Sequence, residues 1–180
     1  MSKKIELKIL DVYNTQAQAA NAYVLILEEL GGERQLPVII GPGEAHSILF
    51  NLKKIDSPRP LTHDLFALTL EKFHITLTEI FIYRVEEGIF YAYLFLKEAE
   101  QEYKIDARTS DAVALAIRLH APVYIDESVL EAECLTAERE SQKDIREESL
   151  QTLKEALSKA IENENYELAA MIRDEILRRE

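Results

Sequence analysis

The sequence predicts an α+β protein: a mixed, largely antiparallel sheet with helices packed on it, followed by a C-terminal αα-hairpin. Strand and helix signals follow one another before residue 134 without the regular βαβ alternation of a parallel sheet. Of the 180 residues, 47% are hydrophobic, which is enough for a packed core. Beyond residue 134 only helical spacing remains. We therefore divide the chain into a domain over residues 1–134, a charged linker over 135–149 and a helical hairpin over 150–180.

Strand signals begin near the N-terminus. Ile5, Leu7 and Ile9 alternate with charged residues, which is typical of a half-buried strand. A continuous apolar run over residues 22–27 is followed by residues 34–40, its predicted hairpin partner. Further strands are predicted at residues 75–83, 89–96, 102–106 and 123–125.

Three helices are predicted in the same domain. The first covers residues 44–53 and follows a Gly-Pro-Gly break. Thr62 is placed to cap the second helix, over residues 62–73. Ser110 is placed to cap the third helix, which ends near residue 120 because a proline follows.

The C-terminal segment predicts two short helices. Residues 137–149 are nearly all charged or polar, which suits a solvated linker or an exposed helix. Two apolar stripes at helical spacing follow, and Tyr166 and Ile172 belong to the second. Because two short helices bury little surface, we expect the hairpin to pack on its own core, on another copy or on a partner.

The chain is strongly acidic. It carries 21 Lys and Arg against 33 Asp and Glu, for a formal net charge of −12. Affinity for nucleic acid comes mainly from basic groups that neutralise phosphates, so this charge disfavours tight, non-specific coating of DNA. Any contact with nucleic acid must be local, transient or bridged by a metal.

The sequence also predicts a cellular compartment. Its apolar stretches are too short to span a bilayer, and its N-terminus lacks the apolar core of a signal peptide. The single Cys134 cannot form an internal disulfide, which suits a reducing environment. We therefore expect a cytoplasmic protein with no membrane partner.

Three predicted loops collect polar side chains at the start of a helix: residues 43–46, 59–64 and 106–111. Helix N-termini favour anions because their first N–H groups lack partners within the helix. Arg59 and Arg108 could each grip a phosphate through two hydrogen bonds. The loops therefore predict a phosphate site.

Carboxylates are the second component of this pattern. Glu44, Asp64, Asp106 and Asp111 supply the oxygen ligands that Mg²⁺ or Mn²⁺ prefers, if they meet at one place. His63 would then be a further ligand, or the general base that takes a proton from the attacking water. A phosphodiesterase uses groups of these kinds.

A purely structural interpretation explains much of the same pattern. Thr62 and Ser110 would cap helices, while Asp64 and Asp111 would stabilise the first turns. Spacing alone favours this interpretation, because no established catalytic motif is present. It extends to His46, His74 and His120, to Cys134 as an inert thiol, and to Tyr91 and Tyr93 as cross-strand packing.

Four blocks of sequence carry a resemblance to a known family. They are Gly43-Glu44-Ala45, Arg59-Pro60-Leu61-Thr62-His63-Asp64-Leu65, Phe90-Tyr91-Ala92, and the run from Asp106 to Ala116 with Ala121-Pro122-Val123-Tyr124. In this order they resemble the bifunctional nuclease domain family over residues 5–133. Members of that family are described as having DNase and RNase activity, which is the function that the resemblance implies.

The resemblance also selects site residues. The positions that match the family pattern are Glu44, Arg59, His63, Asp64, Asp106, Arg108, Ser110 and Asp111. Among them we predict catalytic roles for His63, Asp64, Asp106 and Asp111, metal binding by Glu44 and the same three aspartates, and phosphate binding by Arg59, Arg108 and Ser110. One departure is Thr109, where the family usually has a proline.

The hairpin has a resemblance of its own. Leu153 to Leu157, Ala160-Ile161-Glu162 and the run from Tyr166 to Ile176 resemble the UVR motif, a helical hairpin of bacterial excision-repair nucleases. Its known use is contact between proteins, often with a second UVR hairpin. The resemblance therefore implies a protein partner or a homo-oligomer, with Tyr166 and Ile172 at the contact.

Two functions follow from these observations. The first is a metal-dependent nuclease that hydrolyses phosphodiester bonds in DNA or RNA, with a hairpin that binds a partner or a second copy. The second is a non-catalytic interaction or regulatory module whose loops bind an anion or another protein. The acidic charge favours the second, whereas the clustered carboxylate, Arg and His side chains and the resemblance favour the first. Convergence of Glu44, His63, Asp64, Asp106 and Asp111 in one concave site would distinguish them.

Overall fold

The computed structural model describes residues 3–14, 22–32, 34–55 and 57–135, together with residues 170, 173 and 176. The chain divides into two compact units, Met1–Cys134 and Leu135–Glu180. In the second unit Ile176 is helical and buried. The predicted contact residues Tyr166 and Ile172, and most of the predicted hairpin, lie outside the described residues.

The described part of the first unit contains seven strands and four helices. The strands are β1 (Lys4–Asn14), β2 (Tyr23–Glu29), β3 (Gln35–Ile40), β4 (Ile75–Glu86), β5 (Ile89–Glu98), β6 (Gln101–Arg108) and β7 (Val123–Asp126). The helices are α1 (Pro42–Leu52), α2 (Thr62–Lys72), α3 (Thr109–Leu119) and α4 (Glu127–Glu133). Every strand and helix predicted for this unit is present, and α4 is additional.

Helix α4 escapes the sequence prediction because it is short and three of its seven residues are glutamates. Only Val129 and Leu130 are buried in it, too few for a clear apolar stripe. Its start signal is nevertheless in the sequence: Asp126 caps the helix by accepting a hydrogen bond from the Ser128 N–H at 3.0 Å.

The starts of α2 and α3 differ from the prediction. Their N-caps are Leu61 and Arg108, so Thr62 and Ser110 lie inside the first turns and both predicted caps are wrong. At α2 the carboxylate of Asp64 accepts from the Leu61 N–H at 2.8 Å. Asp64 therefore satisfies a backbone donor at this helix start.

The strands form one sheet in the order β3-β2-β1-β7-β4-β5-β6. Within the described residues, β7 pairs in parallel with β4, and the other neighbouring strands pair antiparallel. Strand β7 enters the middle of the sheet after the chain has crossed over through α3. The predicted α+β class with a mixed, largely antiparallel sheet is confirmed.

The core lies between one face of this sheet and the helices. Alternate residues of the central strands point into it and are fully buried, among them Leu25, Leu27, Ile80, Ile82 and Ile125. Helix α3 is the central helix, because residues 112–116 are all buried and both α1 and α2 pack against it. Three of those five residues are alanines, so the α3 backbone can lie close to its neighbours.

The opposite face of the sheet carries aromatic and charged side chains. The rings of Tyr83 and Tyr93 stack with centroids 3.9 Å apart, and Lys104 Nζ lies 3.6 Å from the Tyr93 ring centroid. The hydroxyl of Tyr83 donates to Asp106 Oδ1 at 3.2 Å. These contacts join β4, β5 and β6 on a face that the core does not use.

No helix in the described part of the chain is long and apolar enough to cross a membrane.

Thr109, the position where the resemblance expects a proline, is the first residue of α3. It is 2% exposed, and its Oγ1 is buried without a hydrogen-bond partner. The first position of a helix is the one that proline favours, because a proline there loses no helical hydrogen bond. The backbone of Arg108 is extended, with φ −65° and ψ 141°, as the residue before a proline requires.

We therefore predict that Thr109→Pro stabilises the protein by about 1 kcal/mol, because it removes an unsatisfied hydroxyl and restricts the unfolded chain. Thr62→Pro is the matched control: Thr62 is also the first residue of its helix, but it is exposed, so only the restriction of the unfolded chain applies. Denaturant unfolding of both variants measures the difference. A lower stability for Thr109→Pro than for the wild type would contradict this account.

Candidate functional site

Three helix starts meet at one cavity of about 890 Å³, which we call the three-helix cavity. Helix α1 contributes Gly43 and Glu44, and α2 contributes Thr62 and His63 from its first turn. The start of α3 contributes Arg108 and Asp111. The first N–H groups of each helix lack intrahelical acceptors, so this convergence favours an anion.

The start of α1 has a glycine next to the Glu44 carboxylate. Gly41 is the N-cap, and Pro42 occupies the first turn, where its fixed φ suits a helix. A Cβ at Gly41 would lie 2.6 Å from the Oε2 atom of Glu44. Because Gly41 has no side chain, the Glu44 carboxylate can fold back over the start of its own helix and remain beside the cavity.

His63 lies at the centre of a hydrogen-bond chain across the cavity. Its Nδ1 is 2.8 Å from Ser47 Oγ, and its Nε2 is 3.0 Å from Asp111 Oδ1. An Nε2–H that donates to the carboxylate leaves the Nδ1 lone pair to accept from the Ser47 hydroxyl. The chain therefore orients the imidazole and engages both of its nitrogens.

Arg108 bridges two carboxylates at the mouth of the cavity. Its guanidinium lies 2.7 Å from Asp111 Oδ2 and 2.8 Å from Glu44 Oε1, while the side chain stays 68% exposed. Burial raises the pKa of Asp111, but the hydrogen bonds from Arg108 and His63 outweigh burial and hold that pKa below its ordinary value. Hydrogen bonds with Asp111 and the charge of Glu44 raise the pKa of Arg108.

Apart from His46, the remaining wall of the three-helix cavity is apolar. It is formed by Pro60, Leu61, Phe66, Leu94 and Leu115. A site with a few convergent polar groups on an apolar wall is the usual form of a small-ligand or substrate pocket.

Arg118 fixes the three helices behind the cavity, with its side chain only 5% exposed. Its Nε donates to Asp64 Oδ1 on α2 at 2.6 Å. The same guanidinium donates to the carbonyl of Ala114 on α3 at 2.8 Å and to that of Ser47 on α1 at 3.2 Å. Burial raises the pKa of Asp64, but Arg118 and the Leu61 N–H outweigh burial and lower that pKa overall.

A second cavity, of about 520 Å³, shares Pro60 and Leu61 with the first, and we call it the basic cavity. It is lined by Lys54, Arg59, Asp64, Arg118 and His120, among others. Arg59 and Asp64, both predicted for the phosphodiesterase site, therefore lie here and not in the three-helix cavity.

The structure thus brings together four of the eight predicted positions: Glu44, His63, Arg108 and Asp111. Asp106 lies on the opposite face of the sheet. The pKa of Tyr83 is raised to about 12, mainly by hydrogen bonding with Tyr93 and further by burial and by Asp106. Ser110 is buried in the first turn of α3 and lines neither cavity.

The predicted metal ligands are separated by these contacts. Glu44 and Asp111 share Arg108, Asp64 pairs with Arg118, and Asp106 accepts from Tyr83. In the residues that the structure describes, no group of three or more His, Cys, Asp or Glu side chains is placed to hold a metal ion. This arrangement does not fit the predicted resident Mg²⁺ or Mn²⁺.

Two site residues were beyond the sequence prediction. Ser47 lies three residues after Glu44, one helical turn further along. This spacing could have predicted that both side chains lie on the same face of the helix. Arg118 lies 54 positions from Asp64 and 71 from Ser47, and no local pattern links positions that far apart.

The comparisons with known proteins cover both parts of the chain. The sequence profile of the bifunctional nuclease domain matches residues 25–138, and that of the UvrB/uvrC motif matches residues 147–178. Two Mycobacterium tuberculosis proteins from different strains, both named as uncharacterized, are 38% identical over 144 residues. Each match covers 78% of this chain and 86% of the relative.

Proposed function

The chain belongs to the bifunctional nuclease domain family, and from this membership we propose that it hydrolyses phosphodiester bonds of DNA or RNA in the three-helix cavity. The observation that carries the proposal is the convergence of three helix starts, with Arg108, on one concave site. Unpaired N–H groups and a guanidinium are the donors that stabilise the charge developing on a phosphate as it is attacked.

The hydrogen-bond chain at His63 supplies the proton transfer. With Nε2–H held by Asp111, Nδ1 accepts the proton of Ser47, and Ser47 Oγ accepts one from the attacking water. The water oxygen forms the new bond to phosphorus as the bond to the ester oxygen breaks, and the proton taken up by His63 returns through Ser47 to that leaving oxygen. This arrangement supports His63 as the general base and gives it no free nitrogen for a metal.

Arg108 gives the site its phosphate contact. In the resting protein its charge is shared between Glu44 and Asp111, so a phosphate must compete with two carboxylates for one guanidinium. The side chain is 68% exposed, which leaves it room to turn toward a substrate. The planar fork can then bind two phosphate oxygens together.

The divalent cation predicted from the sequence stays a prediction. The carboxylates as placed do not form a cluster for it, so the proposed proton transfer includes no step through a metal. Cleavage of labelled single- and double-stranded substrates with and without a chelator measures the requirement.

One observation favours a second candidate function. Glu44 and Asp111 outnumber Arg108 at the mouth of the cavity, in a chain of net charge −12. That balance suits a non-catalytic module that binds a protein through the same loops, and absence of turnover on every nucleic-acid substrate would favour it.

The matched UvrB/uvrC motif supports a separate function for the C-terminal segment. We propose that it binds the same motif of a second copy, because its apolar stripes exceed what two short helices bury and its charge does not attract nucleic acid.

Arg108→Lys tests the phosphate contact. We predict a loss of about 10²-fold in kcat/KM on a labelled oligonucleotide, because a point charge cannot reproduce the bidentate fork. Arg84→Lys is the matched control: Arg84 forms an exposed pair with Glu86 and lines neither cavity. Equal activity of Arg108→Lys and the wild type would assign Arg108 to structural ion pairing alone.

Tyr166→Ser with Ile172→Ser, in the full chain, tests the hairpin. We predict that this double variant loses self-association and keeps wild-type cleavage, as measured by size-exclusion chromatography with light scattering and by the oligonucleotide assay. Asn163→Ala, between the two apolar stripes of the sequence, is the control and should change neither. A variant that still self-associates but no longer cleaves would place the hairpin in the active unit.

A further inference from the structure

The lining of the basic cavity is cationic although the chain is acidic. Among its described residues, Lys54, Arg59 and Arg118 carry three positive charges against the single negative charge of Asp64. Without counting His120, the described lining has an excess of two positive charges. The whole chain has a formal net charge of −12, so this excess is a local exception.

Two of these cations are free to bind a ligand. Asp64 is occupied by Arg118 at 2.6 Å and by the Leu61 N–H at 2.8 Å. In the described part of the chain, neither Lys54 nor Arg59 forms an ion pair or a side-chain hydrogen bond, and both are exposed. Arg108 in the three-helix cavity, by contrast, is held by two carboxylates.

Helix dipoles account for only some of the basic residues that line the basic cavity. Lys54 and His120 follow the last turns of α1 and α3, where the dipole favours a cation. Arg59 belongs to neither helix, and it precedes α2. The stability of a helix end therefore does not explain why Arg59 lines the same cavity as Lys54.

The apolar walls of the basic cavity suit the nucleoside part of a nucleotide. Phe50, Ile55 and Leu68 supply apolar surface next to the two free cations. Pro60 and Leu61 line both cavities, so the two cavities adjoin at this shared wall.

We propose that the basic cavity is a second phosphate subsite, which binds the nucleic-acid phosphate next to the one that is cleaved. Lys54 and Arg59 bind the phosphate oxygens, and the apolar wall contacts the attached nucleoside. The proposal rests on the proposed function, and it explains how an acidic protein holds a polyanion: the attraction is confined to one cavity.

Binding without turnover tests the subsite directly. The probe is a short fluorescein-labelled oligothymidylate with phosphorothioate linkages that resist cleavage, titrated with the full chain and followed by fluorescence anisotropy over a series of salt concentrations. For Lys54→Gln with Arg59→Gln we expect weaker binding and a salt slope reduced by about 0.7, the value for one lost phosphate contact on a single strand. Lys72→Gln with Lys97→Gln removes the same charge outside both cavities and should leave the slope unchanged.

Equal salt slopes for the Lys54/Arg59 variant and the wild type would overturn the subsite, and so would an equal loss in the control variant. Cleavage separates this result from the proposed function. The Lys54/Arg59 variant should raise KM for the oligonucleotide but not for a dinucleoside monophosphate, which has no second phosphate. If the wild type binds with the expected slope but cleaves neither substrate, the nuclease proposal is refuted and the subsite is retained. If the Lys54/Arg59 variant raises KM equally for both substrates, the subsite is refuted.

Discussion

The buried guanidinium of Arg118 holds the site together. One side chain joins α1, α2 and α3 through the Ser47 carbonyl, the Asp64 carboxylate and the Ala114 carbonyl. Each of these helices places its start, with an acidic, basic or imidazole side chain, at the three-helix cavity. Removal of Asp64 would leave the Arg118 guanidinium, whose side chain is only 5% exposed, without its carboxylate partner, so the relative positions of these helices depend on this contact.

The charges of the two cavities are complementary. In the three-helix cavity, carboxylates hold the basic side chains: Asp111 orients His63, and Glu44 and Asp111 restrain Arg108. The basic cavity has the opposite balance, with Lys54 and Arg59 free among the described residues. A strand anchored by the second cavity could bring its neighbouring phosphate into the first without a general attraction between an acidic protein and nucleic acid.

The fold and part of the site could be predicted from local signals. The alternation of apolar and polar residues predicted the strands. Polar residues before each apolar stripe predicted the helix starts that meet at the cavity. The convergence of particular side chains at one cavity could not be predicted from such local signals. His63 meets Asp111 across 48 positions of sequence, and the next carboxylate, Asp64, turns to Arg118 in another cavity. Strand alternation places Asp106 outside the three-helix cavity. Its side chain shares a sheet face with Tyr83 and Lys104, away from the helices.

The central claim is that three helix starts form one phosphate site. Backbone amide NMR of the wild-type chain, titrated with an oligonucleotide that carries phosphorothioate linkages and resists cleavage, tests it most directly. The account predicts that the amides of Gly43, Thr62 and Asp111, one from each helix start, shift together with a single dissociation constant. Shifts confined to the opposite face of the sheet, around Tyr83 and Tyr93, with these three amides unchanged, would contradict it.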